Sequence, residues 1–278
     1  MPTTLVRGQG TKILLLNPNS SSSMTDGMKT VLNNIDLPYS TEIYTYTAPA
    51  PSPASINDAA DIEASTAAVL ADADADALTR SHDGVVVACF SVHPLVSELQ
   101  SRPSGPAAAA AAAVTGIFEA SVLAALSLLR PGGSWGIVTT GKFWEAHLSD
   151  GVRTFLGGSS DDGNGNTGNA KAGFAGVQST GLNASDFHHG VDPAVVRLKL
   201  KAATKRLLGA AGDVHVIVMG CAGMAGLEEI IREAAEEERG AEFAYSALHV
   251  IDGVRAGIML VDHMIKNQRL RPGRKPQD

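Results

Sequence analysis

The sequence predicts an α/β protein with two pseudo-symmetric lobes, each a short parallel sheet flanked by helices, and an active site in the cleft between them. Two observations carry this prediction. Short apolar runs alternate with helix-like segments along the whole chain, as in parallel sheets. The order of strand, polar turn, helix, strand, long helix, strand, cysteine and helix also occurs twice, which indicates a duplicated architecture.

The strands are predicted from short runs of apolar and β-branched residues. Each run is closed by polar residues, glycine or proline, which end a strand. The predicted strands are residues 12–16, 42–47, 84–88, 114–116, 134–138, 176–180, 214–219 and 245–251.

The helices are predicted from apolar residues at helical spacing and from N-capping residues. The Asp-Ala repeat within 56–79 favours one long helix with a polar face. The predicted helices are residues 24–32, 56–79, 93–100, 117–129, 144–155, 193–208, 227–239 and 252–266. The Ala-rich segment 102–113 is compatible with a helix or with a spacer that enters the next strand, and both readings stay open.

The repeat divides the chain into two lobes with one cysteine each. Lobe 1 is predicted to comprise residues 1–113 and 242–278, with the Asn-Pro-Asn-Ser motif and Cys89; lobe 2 comprises residues 114–241, with a Thr-Thr turn and Cys221. The segment from about 157 to 173 is dominated by Gly, Asn, Asp and Ser. We therefore expect a disordered surface insertion there.

Composition narrows the function classes. The chain has 278 residues and a formal net charge of -7, which argues against a nucleic acid or an anionic membrane as partner. No apolar stretch is long enough for a signal peptide or a membrane span. Two cysteines do not form a disulfide framework, so reduced thiols and a cytoplasmic location are expected. The expected partner is a small-molecule substrate, and assembly into a homo-oligomer stays open.

The two cysteines carry the chemical hypothesis. Cys89 and Cys221 each stand just behind an apolar run, at the carboxyl end of a predicted strand, where open α/β sheets bind ligands. A thiolate on one side of a carbon can remove its proton while a thiol on the other side returns one. This inverts the carbon without a cofactor or a metal. The competing interpretation is that each cysteine only fills space in a core.

Polar residues at the strand-end turns are candidates for holding the substrate. Hydroxyls, amides and helix N-termini can meet the negative charge that develops on a carbonyl oxygen. The candidates are Asn17, Ser20, Ser21, Thr139 and Thr140. The turn that begins at Asn17 is equally compatible with an ordinary helix cap. His93 is a candidate third proton carrier, or a residue that caps the next helix.

Five segments resemble the Asp/Glu/hydantoin racemase superfamily, specifically its hydantoin and allantoin racemase branch. They are Ile13-Leu-Leu-Leu-Asn-Pro-Asn-Ser-Ser21, Val87-Ala-Cys-Phe90, Gly116-Ile-Phe-Glu-Ala-Ser121, Gly136-Ile-Val-Thr-Thr140 and Val218-Met-Gly-Cys-Ala-Gly-Met224. The resemblance implies a cofactor-independent enzyme in which Cys89 and Cys221 are the catalytic acid and base. The pocket would hold a five-membered hydantoin ring, and the neighbours of the thiols complete the predicted binding set: Phe90, Ser91, Ala222 and Gly223.

One departure from the family concerns the pocket. Many bacterial hydantoin racemases carry Gly-Asp-Pro-Gly after the first Cys-Phe, where this chain has Ser91-Val92-His93-Pro94. The substituent accepted on the ring therefore stays open. The predicted function is inversion of C5 in a 5-substituted hydantoin or allantoin. The alternatives are an amino-acid racemase, a diacid isomerase or decarboxylase of the same superfamily, and a non-catalytic metabolite-binding relative. The turns hold few cations, of which Lys142 is one, and this favours a neutral ring.

Overall fold

Two parallel sheets form the framework of the molecule. The computed structural model describes residues 10–33, 35–37, 40–102, 113–158, 173–187, 190–210 and 213–270. The first sheet contains β1 (Thr11–Asn17), β2 (Thr41–Thr47), β3 (Gly84–Val87) and β4 (Ala113–Gly116); the second contains β5 (Gly133–Thr139), β6 (Phe174–Ser179), β7 (Asp213–Gly220) and β8 (His249–Asp252). The strand orders are β2-β1-β3-β4 and β6-β5-β7-β8. The same order in both sheets confirms the predicted two-lobed α/β fold.

Helices cover the faces of both sheets, as parallel strands require. They are α1 (Ser22–Leu32), α2 (Ala59–Ala71), α3 (Ala73–Ser81), α4 (Pro94–Ser101), α5 (Ile117–Ser127), α6 (Phe143–Phe155), α7 (Pro193–Ala210), α8 (Glu228–Arg239) and α9 (Gly253–Arg269). In the part of the chain that the structure describes, none of them has both the length and the apolarity needed to cross a bilayer.

The central strands are apolar on both faces, and this builds a core that both lobes share. Successive side chains of a strand point to opposite faces, so Ile13 and Leu15 of β1 face one way and Leu14 and Leu16 the other. The first pair joins a cluster that also contains Ile137 of the second sheet. The second pair packs under the outer helices of lobe 1. The two sheets therefore hold one continuous hydrophobic interior between them.

The predicted long helix over 56–79 is wrong, because the segment forms two helices. Asp72 ends α2 and begins α3, with an extended backbone at φ -82° and ψ 118°. Its carboxylate accepts the amide N–H of Asp74 at 3.0 Å and the hydroxyl of Tyr46 at 2.6 Å. This N-cap and the contact to β2 stabilise the break more than helix propensity favours continuity.

Two strands near the predicted lobe boundaries, β4 and β8, lie in a different sheet from the one that the sequence predicts. Gly116 of β4 pairs with Val87 of β3 in the first sheet, whereas the sequence predicts that lobe 2 begins at residue 114. In 245–251 the structure has a π-helical turn, Phe243–Ala247, and then β8, which pairs with β7 in the second sheet. Helix α9 does pack on β1, β3 and β4 of the first sheet. The chain therefore crosses between the lobes after β4 and again after β8.

Two sequence predictions concern residues that lie mostly outside the described ranges. These residues are 159–172 of the predicted insertion and 103–112 of the Ala-rich segment.

Candidate active site

The two thiols meet at one cleft between the sheets. Cys89 is the second residue after the end of β3, and Cys221 directly follows β7. Both strands lie in the middle of their sheets, beside β1 and β5 respectively. Both cysteines line the same cleft, which residues of both lobes enclose. Neither thiol is in a disulfide.

The cleft contains about half of the residues predicted from sequence. The predicted residues that line it are Cys89, Phe90, Thr140, Cys221, Ala222 and Gly223. The predicted residues that lie outside its lining are Asn17, Ser20, Ser21, Ser91, His93 and Thr139. The contacts of these six residues explain what they do instead.

Cys221 is held by the first turn of a short 3₁₀ helix, Ala222–Met224. Its sulfur accepts the N–H of Gly223 at 3.3 Å. Thr139, fully buried at the end of β5, donates its hydroxyl to the carbonyl of Gly220 at 2.7 Å and so fixes the peptide before the cysteine. A side chain at position 223 would lie 2.8 Å from the main-chain oxygen of Ala184, so only glycine fits this approach.

Cys89 stands in a tight turn after β3. Its sulfur lies 3.4 Å from the hydroxyl of Ser91, a residue with no exposed surface. The N–H of Ser91 also donates to the carbonyl of Cys89 at 3.0 Å. Ser91 therefore supports the thiol from behind the cleft wall. Phe90 packs edge-on against Phe118 of α5, with ring centroids 5.6 Å apart.

Both thiols have a raised pKa. Burial raises the pKa of Cys89 to about 12, against a hydrogen bond from Ser91 that lowers it. Burial raises the pKa of Cys221 to about 11, and the amides of Gly223 and Met224 act in the opposite direction. Burial thus shifts the pKa of both thiols in the same direction. Ionised, either sulfur is a stronger base than an ordinary cysteine thiolate.

Asn19 faces the cleft, whereas its predicted neighbours hold it in place. Asn17 is fully buried and donates its side-chain amide to Asn19 and to Thr25, both at 3.0 Å. Ser21 caps α1 by accepting the N–H of Met24, and Ser20 donates its own N–H to a main-chain oxygen of the loop after β2. The capped-turn interpretation thus describes Asn17, Ser20 and Ser21, and the turn presents Asn19 instead.

His93 is the N-cap of α4 and does not line the cleft. Its Nδ1 accepts the N–H of Leu95 at 3.3 Å, which leaves the ring proton on Nε2, 3.1 Å from the hydroxyl of Ser65. Both residues are buried, and burial lowers the pKa of His93 to about 4. The ring is therefore a neutral part of the core near pH 7.

The remaining walls are apolar or small. Sequence reasoning missed the residues that other elements bring to the cleft: Asn19, Met24, Ile56, Ala88, Trp144, Ala184 and Gly220. None of the described residues that line the cleft carries a charge. Lys142 forms an ion pair with Glu145 on the surface and is not among them. The cleft therefore offers two thiols, the side chain of Asn19, the hydroxyl of Thr140 and main-chain amides to a neutral molecule.

Comparison with known proteins shows the fold and the family of the chain. An allantoin racemase from Klebsiella pneumoniae superposes with a TM-score of 0.69 at 23% identity, covering 93% of this chain and 89% of that one. A glutamate racemase from Bacillus anthracis gives a TM-score of 0.59 at 13% identity, covering 94% and 84%. An uncharacterized protein of Schizosaccharomyces pombe is 32% identical over 92% of each chain. The family model described as Asp/Glu/Hydantoin racemase matches residues 13–261, and the chain therefore belongs to the Asp/Glu/hydantoin racemase family.

Proposed function

We propose that this protein is a racemase that inverts C5 of a hydantoin-type ring, a 5-substituted hydantoin or allantoin, without a cofactor. The observation that carries the proposal is the pair Cys89 and Cys221 on one uncharged cleft. A thiolate on one side takes the C5 proton, and the thiol on the other side delivers its proton to the opposite face. After one turnover the two sulfurs have exchanged roles.

The carbanion is stabilised when its charge moves onto the neighbouring ring carbonyl. Donors fixed before the reaction lower the energy of that oxyanion most effectively. Asn19, Thr140 and the amides of the turn after Cys221 are the groups proposed for this task. Their positions are set by buried hydrogen bonds such as Asn17 to Asn19 and Thr139 to Gly220, so little reorganisation is needed.

Because no described residue of the lining is charged, the cleft favours a neutral ring over an acidic substrate. A free carboxylate that enters such a cleft loses hydration and gains no cation in return, which is costly. Glutamate and maleate carry such groups, and relatives with this fold act on them according to their descriptions. The allantoin racemase has the higher structural similarity of these neighbours. These points together favour a hydantoin or allantoin.

The decisive test replaces each thiol by alanine. We expect Cys89→Ala and Cys221→Ala to lose racemisation of the separate enantiomers by at least about 10²–10⁴-fold, because general acid–base catalysis contributes that much. In D₂O each variant retains exchange into one enantiomer only, and the two variants show opposite preferences. The substrates are both enantiomers of allantoin and of alkyl and aryl hydantoins, with glutamate, aspartate and maleate as the acidic panel.

Lys142→Ala is the matched control for this test. Lys142 lies outside the lining, so its loss should leave turnover of a neutral ring unchanged, whereas an acidic substrate that relied on it would be affected. Normal racemisation by both cysteine variants would disprove the mechanism. Turnover restricted to the acidic panel would mean that the substrate is an acid and not a neutral ring. Binding without turnover would indicate a non-catalytic relative.

A further inference from the structure

A buried carboxyl group near the first thiol has no part in the reaction proposed above. Glu119 lies in the first turn of α5, three residues after β4 ends. Its Oε2 is buried and has no hydrogen-bond partner among the described residues. A buried, incompletely partnered carboxyl group is unfavourable for stability, which calls for an explanation in the chemistry of the site.

The fold places this carboxyl beside the segment that carries Cys89. Gly116 of β4 pairs with Val87 of β3, so the segments that follow both strands leave the sheet side by side. Phe90, next to Cys89, contacts Phe118, next to Glu119. The carboxyl lies over Gly116, where an added Cβ would stand 2.3 Å from Oε2. Glycine at position 116 is therefore what leaves room for the carboxyl.

The charge on Glu119 is one of the smaller influences on the pKa of Cys89. Burial raises the pKa of Glu119 to about 7, while the amides of Glu119 and Gly116 act against this rise. The group therefore changes charge close to neutral pH. In its ionised form it is a like charge for a thiolate, and it adds to the rise of the Cys89 pKa. Glu119 does not contribute to the pKa shift of Cys221.

The other charged or titratable groups on the surrounding elements have partners of their own or are exposed. The elements that pack on α5 and β4 are α4, β7, β8 and α9. Their charged or titratable side chains are Glu98 on α4, Asp213 and His215 on β7, His249 and Asp252 on β8, and Arg255, Asp262, His263, Lys266 and Arg269 on α9. Asp252 accepts the amides of Val254 and Arg255 through Oδ1, and Asp262 pairs with Lys266 through Oδ2; the other oxygen of each is buried without a hydrogen-bond partner among the described residues. Glu98 is exposed to solvent.

We propose that Glu119 controls where the negative charge of the thiol pair resides: its carboxylate, held over Gly116 next to the segment that carries Cys89, disfavours a thiolate at Cys89 and so keeps the charge on Cys221. This inference extends the proposed two-thiol reaction. The enantiomer whose C5 proton faces Cys221 then meets a ready base, with Cys89 holding the proton to be delivered. The opposite enantiomer reacts only when the negative charge is on Cys89. Glu119 itself exchanges no proton with the substrate.

The test measures the thiolate at Cys89 directly, without racemisation. In a Cys221→Ala background, the alkylation rate of Cys89 by iodoacetamide is followed from pH 5.5 to 9, with and without Glu119→Gln. Below pH 6 the two rates should coincide, because Glu119 is then protonated. Above pH 8 the Glu119→Gln protein should react about three- to tenfold faster, as expected for a neighbouring charge that shifts the pKa by about half to one unit. Glu98→Gln, which removes an exposed charge from α4, is the matched control and should change nothing.

Equal rates at every pH would overturn the proposal, and so would a constant offset at every pH, which indicates a purely structural role. A second measurement needs no change at Glu119. In the Cys221→Ala protein the rate should rise less than tenfold per pH unit around pH 7, where Glu119 ionises, and tenfold per unit above pH 8. A uniform tenfold rise would contradict the proposal. Alkylation is independent of turnover, so an inactive protein would refute the proposed function and leave this test intact.

Discussion

At the scale of single residues, the environment of the thiols determines the chemistry. Cys89 and Cys221 are poor thiolate formers, since burial raises the pKa of both to about 12 and about 11. A carbon-bound proton is weakly acidic, so a strong base is useful even if it is rarely present. In the proposed reaction either sulfur, once ionised, is basic enough to act on such a proton.

The raised pKa values predict an alkaline pH profile. The active form of the pair needs one thiolate, whose fraction below the pKa rises tenfold per pH unit. We therefore expect kcat/KM for the neutral ring to increase by about tenfold per unit between pH 7.5 and 9.5, with a plateau only at higher pH. The measurement is the initial rate by polarimetry across that range, with circular dichroism as the control for folding. A profile already flat above pH 8 would mean that the catalytic thiolate has an ordinary or depressed pKa.

The sequence predicts the strand-end positions of both thiols but only some of the residues that line the cleft with them. Each cysteine follows an apolar run, so its place at a strand end depends on local pattern alone. Whether Asn17 or Asn19 faces the cleft depends on contacts to Thr25, eight residues from Asn17, which no local pattern contains. The residue type of His93 alone predicts a candidate proton carrier. Its partner Ser65 lies 28 residues away, and that contact makes it a buried cap.

At the scale of elements, the turn after β7 fixes Cys221. Gly223→Ala is expected to displace the 3₁₀ helix, because the new methyl group would stand 2.8 Å from the oxygen of Ala184. A displacement of about 1 Å can cost on the order of 10²-fold in rate, so kcat should fall by roughly that factor. The matched control is Gly209→Ala on α7, where no atom lies within 4 Å of the new methyl group. This control should retain full activity. A Gly223→Ala enzyme with wild-type kcat would show that the turn does not determine the position of the Cys221 thiol.

In two segments tertiary contacts override the secondary structure that the local sequence pattern predicts. The 56–79 segment has helical composition throughout, yet Tyr46 of β2 holds Asp72 at the point where the helix breaks. Residues 245–251 have the composition of a strand, but Phe243–Ala247 forms a π-helical turn that packs on α8. The strands that agree best with the sequence prediction are buried on both faces. An uninterrupted apolar run is typical of such strands in a parallel sheet.

At the scale of the whole molecule, the lobes share their interior. One hydrophobic cluster contains Ile13 of the first sheet, Ile137 of the second, and Phe118 of the helix that follows β4. The chain crosses between the sheets after β4 and after β8, and this cluster joins the two lobes, while each lobe also has a buried cluster under its outer helices. The cleft that holds the thiols is therefore bounded by two sheets that fold onto a common core, and their spacing follows from that core.

A shared core predicts that both lobes unfold together. We expect a single transition by calorimetry, with equal calorimetric and van't Hoff enthalpies. Phe118→Ala removes a fully buried ring that packs on Phe90, and should lower the free energy of unfolding by about 3–5 kcal/mol while keeping one transition. Leu123→Ala on the same helix is the matched control; its side chain is 43% exposed, so the change should be below about 1 kcal/mol. Urea unfolding followed by circular dichroism measures both. Two resolved transitions, or a loss for Phe118→Ala confined to one of them, would show that the lobes fold on separate cores.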